Sequence, residues 1–375
     1  MAARRRIPVV ARSSTLAIRQ RHTLPQTLIL FVTARCNARC DFCLYKESVE
    51  HPTRRSEELT VEEYDRIARS YGPLHYLALS GGEPFVRRDV HDLCQAFVDH
   101  GGTSVVEIPS NFSYGDAMVD AVTQLVSANP DLVVELQVSI DDLGDRHDES
   151  RRVEGLYRAA VDNARRLSEL RRAHPNLVLK ANVVWLPSNR DRIDQVVAGV
   201  RADFDVDRVH LTYPHLRIPA DGAGADTVAD FARFREVADR VVAGTGSRWD
   251  PYTLPMRAAK LASNRMLGAA IAGERPLGER CEAGRHVVVV DERGEVFPCE
   301  VIWESVGNVR DAGHDVAAVL AGDRYERFRE RYLGADPCNC TWSCASMTSV
   351  SVSPEGYPGL ALDAARLALG RPARP

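Results

Sequence analysis

"FVTARCNARCDFCLYKE", residues 31–47, packs three of the chain's nine cysteines into eight residues. They are Cys36, Cys40 and Cys43, spaced C-x3-C-x2-C. Zinc sites and ordinary iron–sulfur clusters take four protein ligands, so a group of three thiols leaves one metal position open. The thiols follow directly on "LILFVT" (28–33), an apolar, β-branched run that reads as a strand. A second such run, "HYLALS" (75–80), leads into "SGGEP" (80–84). Two glycines there let the backbone approach a ligand closely, and Glu83 offers an acceptor for an amine.

Four more strands are expected at "SVVEIPS" (104–110), "LVVELQVSI" (132–140), "LVLKANVVW" (177–185) and "RVHLTYP" (208–214). Helical patterns lie between them. "TVEEYDRIARSYG" opens with Thr60 and carries Glu63 three residues on, a capping box. "DVHDLCQAFVDHGG" opens with Asp89 and stops at a glycine pair, with Cys94 as a small core side chain. After Gly155, Leu156, Ala160, Asn163, Leu167 and Leu170 share one helix face. This βα alternation predicts a parallel sheet. Six units are too few for a closed eight-fold barrel, so an open or partial (β/α)6 barrel is expected, with its site at the C-terminal strand ends. Near Asp226 the pattern changes to two helical stretches, 226–244 and 254–273, and then to "HVVVVDERGEVFPC", a hairpin around a glycine turn. The division is an extension (1–27), the barrel (28–225), a helical connection (226–280), a cysteine-bearing α+β domain (281–350) and a tail (351–375).

Hydrophobic residues make up 45% of the 375 and charged residues 27%, ordinary for a globular protein. A formal net charge of -4 supplies no basic field for nucleic acid. The basic N-terminus lacks the apolar run of a signal peptide, and no segment approaches the length of a membrane span. A cytoplasmic enzyme is expected, where nine cysteines point to metal or redox chemistry over disulfides.

The C-x3-C-x-Φ-C arrangement, with Phe42 as the aromatic, and the GGE motif after the second strand together resemble the radical S-adenosylmethionine superfamily. The resemblance runs along the six βα units. It implies that Cys36, Cys40 and Cys43 hold a 4Fe-4S cluster whose open iron binds the amine and carboxylate of S-adenosylmethionine. Gly81, Gly82 and Glu83 are then expected to face that amine. "HDESRRVEGLY" is similar to a segment that places Arg151, with Arg152 second, against the carboxylate. Ser110, Asn111, Ser139 and Asn182 are implied as ribose and methionine contacts, at the ends of strands or within them. A structural zinc site of the three cysteines with His51 is the competing reading.

The C-terminal pattern, "CEAG", "GEVFPCE" and then C-x-C-x3-C, resembles the SPASM extension or its shorter twitch form. The fold class is therefore a partial barrel with a small α+β iron–sulfur domain. The full SPASM pattern has seven cysteines, and this chain has five there, so one auxiliary 4Fe-4S cluster is expected. The preferred ligands are Cys281, Cys299, Cys340 and Cys344, with Cys338 as a substitute for Cys340. A zinc ribbon is the alternative. The implied activity is reductive cleavage of S-adenosylmethionine and hydrogen abstraction from a small natural-product metabolite of sugar, aminoglycoside or nucleoside type. A maturase of ribosomally made peptides and a zinc-stabilised binding module without catalysis stand as alternatives. A flavodoxin or ferredoxin is the expected electron donor. Glu107, His210, Tyr213 and His215 are the residues considered for a pocket.

Overall fold

The computed structural model describes residues 24–219, 221–245, 253–274, 281–335 and 338–370. The basic N-terminal stretch, residues 1–23, lies outside the described residues. Six parallel strands form the barrel sheet: β1 Thr27–Phe31, β2 Tyr76–Ser80, β3 Val105–Ser110, β4 Val133–Ser139, β5 Leu177–Val184 and β6 Arg208–Thr212. Each falls within a residue or two of its sequence expectation. The sheet does not close: β6 is one edge, and the order runs β1 to β6 without crossover.

The helices between the strands are α1 Lys46–Glu50, α2 Val61–Tyr71, α3 Val90–Gly101, α4 Gly115–Ala128, α5 Asp145–Arg151, α6 Leu156–Ala173 and α7 Ile193–Asp203. The capping box at α2 is formed, with Glu63 N–H donating to Thr60 Oγ1 at 3.3 Å and Thr60 N–H to Glu63 Oε2 at 2.9 Å. Asp89 differs from expectation. Its carboxylate does not cap α3 but takes the Arg87 guanidinium at 2.8 Å on each oxygen. That guanidinium is buried and also donates to Val32 O and Leu59 O, so an ion pair outcompetes the cap.

The expected hairpin is present as β8 Val287–Val290 and β9 Glu295–Phe297, after a two-residue strand β7 Arg217–Ile218. It joins the barrel sheet. β8 runs parallel to β1, with Thr27 opposite Val287, and β10 Gly307–Asn308 continues the sheet beyond β9. Four consecutive valines, all fully buried in β8, make this edge an apolar surface that a strand with one wet face does not tolerate. The join is pinned by side chains. Glu292 accepts from Tyr45 Oη and Thr53 Oγ1, both at 2.6 Å, and Arg310 donates to Glu63 at 2.7 and 3.0 Å. The remaining helices are α8 Ala225–Ala243, α9 Thr253–Ile271, α10 Val316–Leu320, α11 Asp323–Arg329, α12 Ser343–Val352 and α13 Tyr357–Ala368, with β11 Asn339–Cys340 paired to β7.

Candidate functional site

The loop leaving β1 crosses the end of β2. Gly82 N–H donates to Thr33 O at 2.7 Å and Glu83 N–H to Arg35 O at 3.0 Å. Only glycine permits this approach. A Cβ on Gly81, whose φ is +106°, would stand 2.4 Å from Thr33 O, and one on Gly82 would stand 2.2 Å from Arg35 O. The two loops wall a cavity of about 190 Å3. Cys36, Cys40, Cys43, Gly81, Gly82, Glu83, Ser110, Asn111, Ser139 and Arg151 all line it. Asn182 does not; it sits further round the sheet and accepts from Thr212 Oγ1 at 2.5 Å. His51 is exposed and off the cavity, so a site of three cysteines with His51 is not assembled.

Burial pushes all three thiols above the ordinary range, Cys40 to about 11. Such thiols become good ligands when a metal supplies the compensating charge. Ala38 N–H lies 3.4 Å from Cys36 Sγ, and Tyr45 N–H is directed at Cys43. Glu83 is 2% exposed. Its Oε1 accepts from Ser110 Oγ (2.9 Å) and Phe85 N–H (3.2 Å), and its Oε2 from Asn111 N–H (2.8 Å). Burial raises its pKa, and these donors act against the rise. Glu83 thus ties β2 to β3, with one lone-pair direction left for a further donor. Arg151 donates to Asp141 at 2.8 and 3.2 Å, which fixes its guanidinium at the cavity wall. Arg152 is at the surface, paired with Asp41 at 2.7 Å.

A second cavity gathers Cys281, Cys299, Cys338 and Cys340. This lining differs from the sequence preference for Cys281, Cys299, Cys340 and Cys344: Cys338 is part of it and Cys344 is not. α12 begins at Ser343, and Cys344 on its first turn is close enough to Glu300, Glu107, Lys260 and Lys180 to feel their charges. Backbone donors serve three of the four thiols in this cavity. Val301 N–H lies 3.3 Å from Cys299 Sγ, and the N–H groups of Ala283 and Trp342 are directed at Cys281 and Cys340. Cys344 receives no such donor. Among the described residues no three His, Cys, Asp or Glu side chains converge tightly enough to cage a bare ion. The thiols are instead spread around two cavities, as ligands at the corners of a multi-iron cluster are. Phe31, Tyr45, Phe297 and Trp303 pack together as an aromatic cluster, with ring centroids 4.8–5.4 Å apart.

Between the first cavity and the strands' N-terminal ends lies a chamber. Residues in register share a face, so Ala78, Glu107 and Glu135 point the same way, as do Gln137, Lys180 and Arg208, and Ser139, Asn182 and His210. On this inner face Ala78, Glu107, Gln137, Asn182 and His210 keep partial solvent access, whereas the residues between them are buried under helices. The floor carries ion pairs. Lys180 pairs with Glu107 and, at 2.7 Å, with Glu135, and Arg208 pairs with Glu135 at 2.5 Å. Below it Val105, Val133 and Val178 pack with Tyr76 and Met256. Cys344 lies near enough to Glu107, Lys180 and Lys260 of α9 to interact with their charges. Burial and the cations Lys180, Arg208 and Lys260 keep His210 neutral. Of the other pocket residues considered, Tyr213 turns away to Asp230 at 2.9 Å and His215 pairs with Glu300 at 3.2 Å.

A Radical SAM superfamily profile matches residues 30–197, and the SPASM iron-sulfur cluster-binding domain profile matches residues 281–345. The chain is similar to GTP 3′,8-cyclase of Staphylococcus carnosus, 32% identical over 115 residues, which are 28% of this chain and 34% of that protein. The matched segment therefore spans about a third of that relative's length. The fold is similar to that of native anSMEcpe with bound AdoMet and the Cp18Cys peptide. The TM-score is 0.56 at 14% identity, covering 92% of this chain and 99% of that one. It is also similar to Streptococcus suis SuiB bound to S-adenosylmethionine, with a TM-score of 0.54 at 15% identity, covering 84% and 70%.

Proposed function

The chain belongs to the radical S-adenosylmethionine superfamily and ends in an iron–sulfur cluster-binding SPASM domain, and on that premise we propose that this enzyme oxidises or rearranges a small polar metabolite held in the barrel chamber. A sugar, aminoglycoside or nucleoside derivative is the substrate class. The observation that supports this reading is the polar, partly solvent-accessible inner face of β2–β6, with the cysteine cavity at one end and buried ion pairs at the other. Hydrogen-bonding groups, Glu107, Gln137, Asn182 and His210, dominate that wall, which suits a polyhydroxylated molecule.

The first cluster with S-adenosylmethionine would supply, when bound, a 5′-deoxyadenosyl radical by one-electron reductive cleavage. The chain's own residues bind and orient. Cys36, Cys40 and Cys43 hold the first cluster, and Cys281, Cys299, Cys338 and Cys340 hold the auxiliary one. Arg151, fixed by Asp141, receives the cofactor carboxylate, and the free lone pair of Glu83 receives its amine. Ser110, Asn111 and Ser139 serve the remaining polar groups of the cofactor. The electron donor is a flavodoxin or ferredoxin.

The test uses anaerobically reconstituted, reduced protein with S-adenosylmethionine and extract from host cells grown in heavy water. Deuterium in 5′-deoxyadenosine is expected from the small-molecule fraction of that extract. Deuterium transfer from the macromolecular fraction alone would contradict the metabolite reading and favour a peptide substrate.

A further inference from the structure

We propose that Trp342 donates its indole N–H to a sulfur of the auxiliary cluster and holds that cluster's reduction potential up. The inference rests on the reading that Cys281, Cys299, Cys338 and Cys340 carry a cluster. Trp342 is 1% exposed and is among the largest fully buried side chains. It lines the same cavity as the four thiols. Its Nε1 is buried and finds no acceptor among the described residues. A buried N–H left without a partner is costly, and native structures rarely keep one.

The cavity itself narrows what the acceptor is. Val301, Ile302, Phe328 and Leu333 are apolar and offer no side-chain acceptor. Asn339 and Tyr332 carry side-chain oxygens, and neither accepts from Trp342 Nε1. Sulfur is the acceptor that remains in quantity. The backbone of the same residue already serves sulfur, with Trp342 N–H directed at Cys340. Position is fixed from both sides, by β11 before it and α12 after it.

Hydrogen bonds to cluster sulfurs stabilise the more negative, reduced state and so raise the potential. A raised potential makes the auxiliary centre a better electron acceptor. That is the property a net oxidation needs and a purely structural centre does not.

The test is Trp342→Phe in the full-length, reconstituted protein. The ring is kept and the N–H removed. An EPR-monitored redox titration is expected to show the auxiliary midpoint lowered, by about tenfold in the oxidised-to-reduced ratio at a fixed potential, or about 59 mV for a one-electron couple. The first cluster's midpoint stays where it was. A second measurement needs no variant: protein labelled with indole-15N tryptophan and then reduced is expected to show 15N coupling to the auxiliary cluster in pulsed EPR. An unchanged midpoint with full iron retained, or no 15N coupling, overturns the proposal. If Trp342→Phe loses iron, the coupling in the unaltered chain decides. Iron analysis separates this from failure of the premise, because a chain without an auxiliary cluster binds about four irons and not about eight.

Discussion

Alanine at Cys36, Cys40 or Cys43 is expected to abolish 5′-deoxyadenosine formation from S-adenosylmethionine. Each thiol lines the first cavity, and the chain has no spare nearby. Cys94 is fully buried in the core on α3, four other cysteines gather in the second cavity, and Cys344 lines neither cavity. Loss of one corner ligand therefore leaves an iron without a replacement. The loops themselves should survive, because Gly82 N–H and Glu83 N–H are held by Thr33 O and Arg35 O and not by the thiols. An anaerobic assay with dithionite as reductant checks this, read by chromatography of the nucleoside product. Normal product from a folded single variant would remove the cluster assignment.

Glu135→Ala is expected to be the most damaging single change outside the cavities. The carboxylate is fully buried and pairs with both Lys180 and Arg208, themselves buried. Its pKa is held well below the carboxylate range, because the attraction of those two cations outweighs the cost of burial. Removing it takes away the carboxylate that separates Lys180 from Arg208, its register partner on β6, and leaves Lys180 with Glu107 alone of its two carboxylates. Breaking a buried pair on one side costs about 3–5 kcal/mol. That is a large share of the about 5–15 kcal/mol that a domain has in total. Denaturant unfolding should show a clear fall in midpoint. Glu135→Gln should lose less, since it keeps the shape and the hydrogen-bond acceptor. An unchanged midpoint for Glu135→Ala would mean that water reaches the floor.

The barrel was legible in the sequence because its signals are local. Apolar β-branched runs, a capping box at Thr60 and glycine stops each declare an element within a dozen residues. The first cavity was legible for a related reason: its cysteines and GGE motif sit directly at strand ends. What escaped depends on the third dimension. The spacing C-x-C-x3-C leaves several thiol combinations open, and only the folded chain decides that Cys338 lines the second cavity with Cys340 while Cys344 does not. The chamber floor also went unread, although its trace is present. Glu107, Glu135, Lys180 and Arg208 each place a charge inside or at the start of an apolar strand, and opposite charges on neighbouring strands are a pairing signal. Register was needed to see that they meet. The helices α12 and α13 were missed because their apolar faces are short. α13 is anchored by a buried Asp363 paired with Arg265 of α9, a contact 98 residues apart in sequence.

The claim on which the account stands is that the two thiol groups are independent cluster sites. Iron and acid-labile sulfide in an anaerobically reconstituted Cys36/Cys40/Cys43→Ala triple variant test it most directly. The unaltered chain should hold about eight irons and the triple variant about four, with the EPR signal of a single reduced cluster. A triple variant that binds one zinc and no iron, or no metal at all, would contradict it.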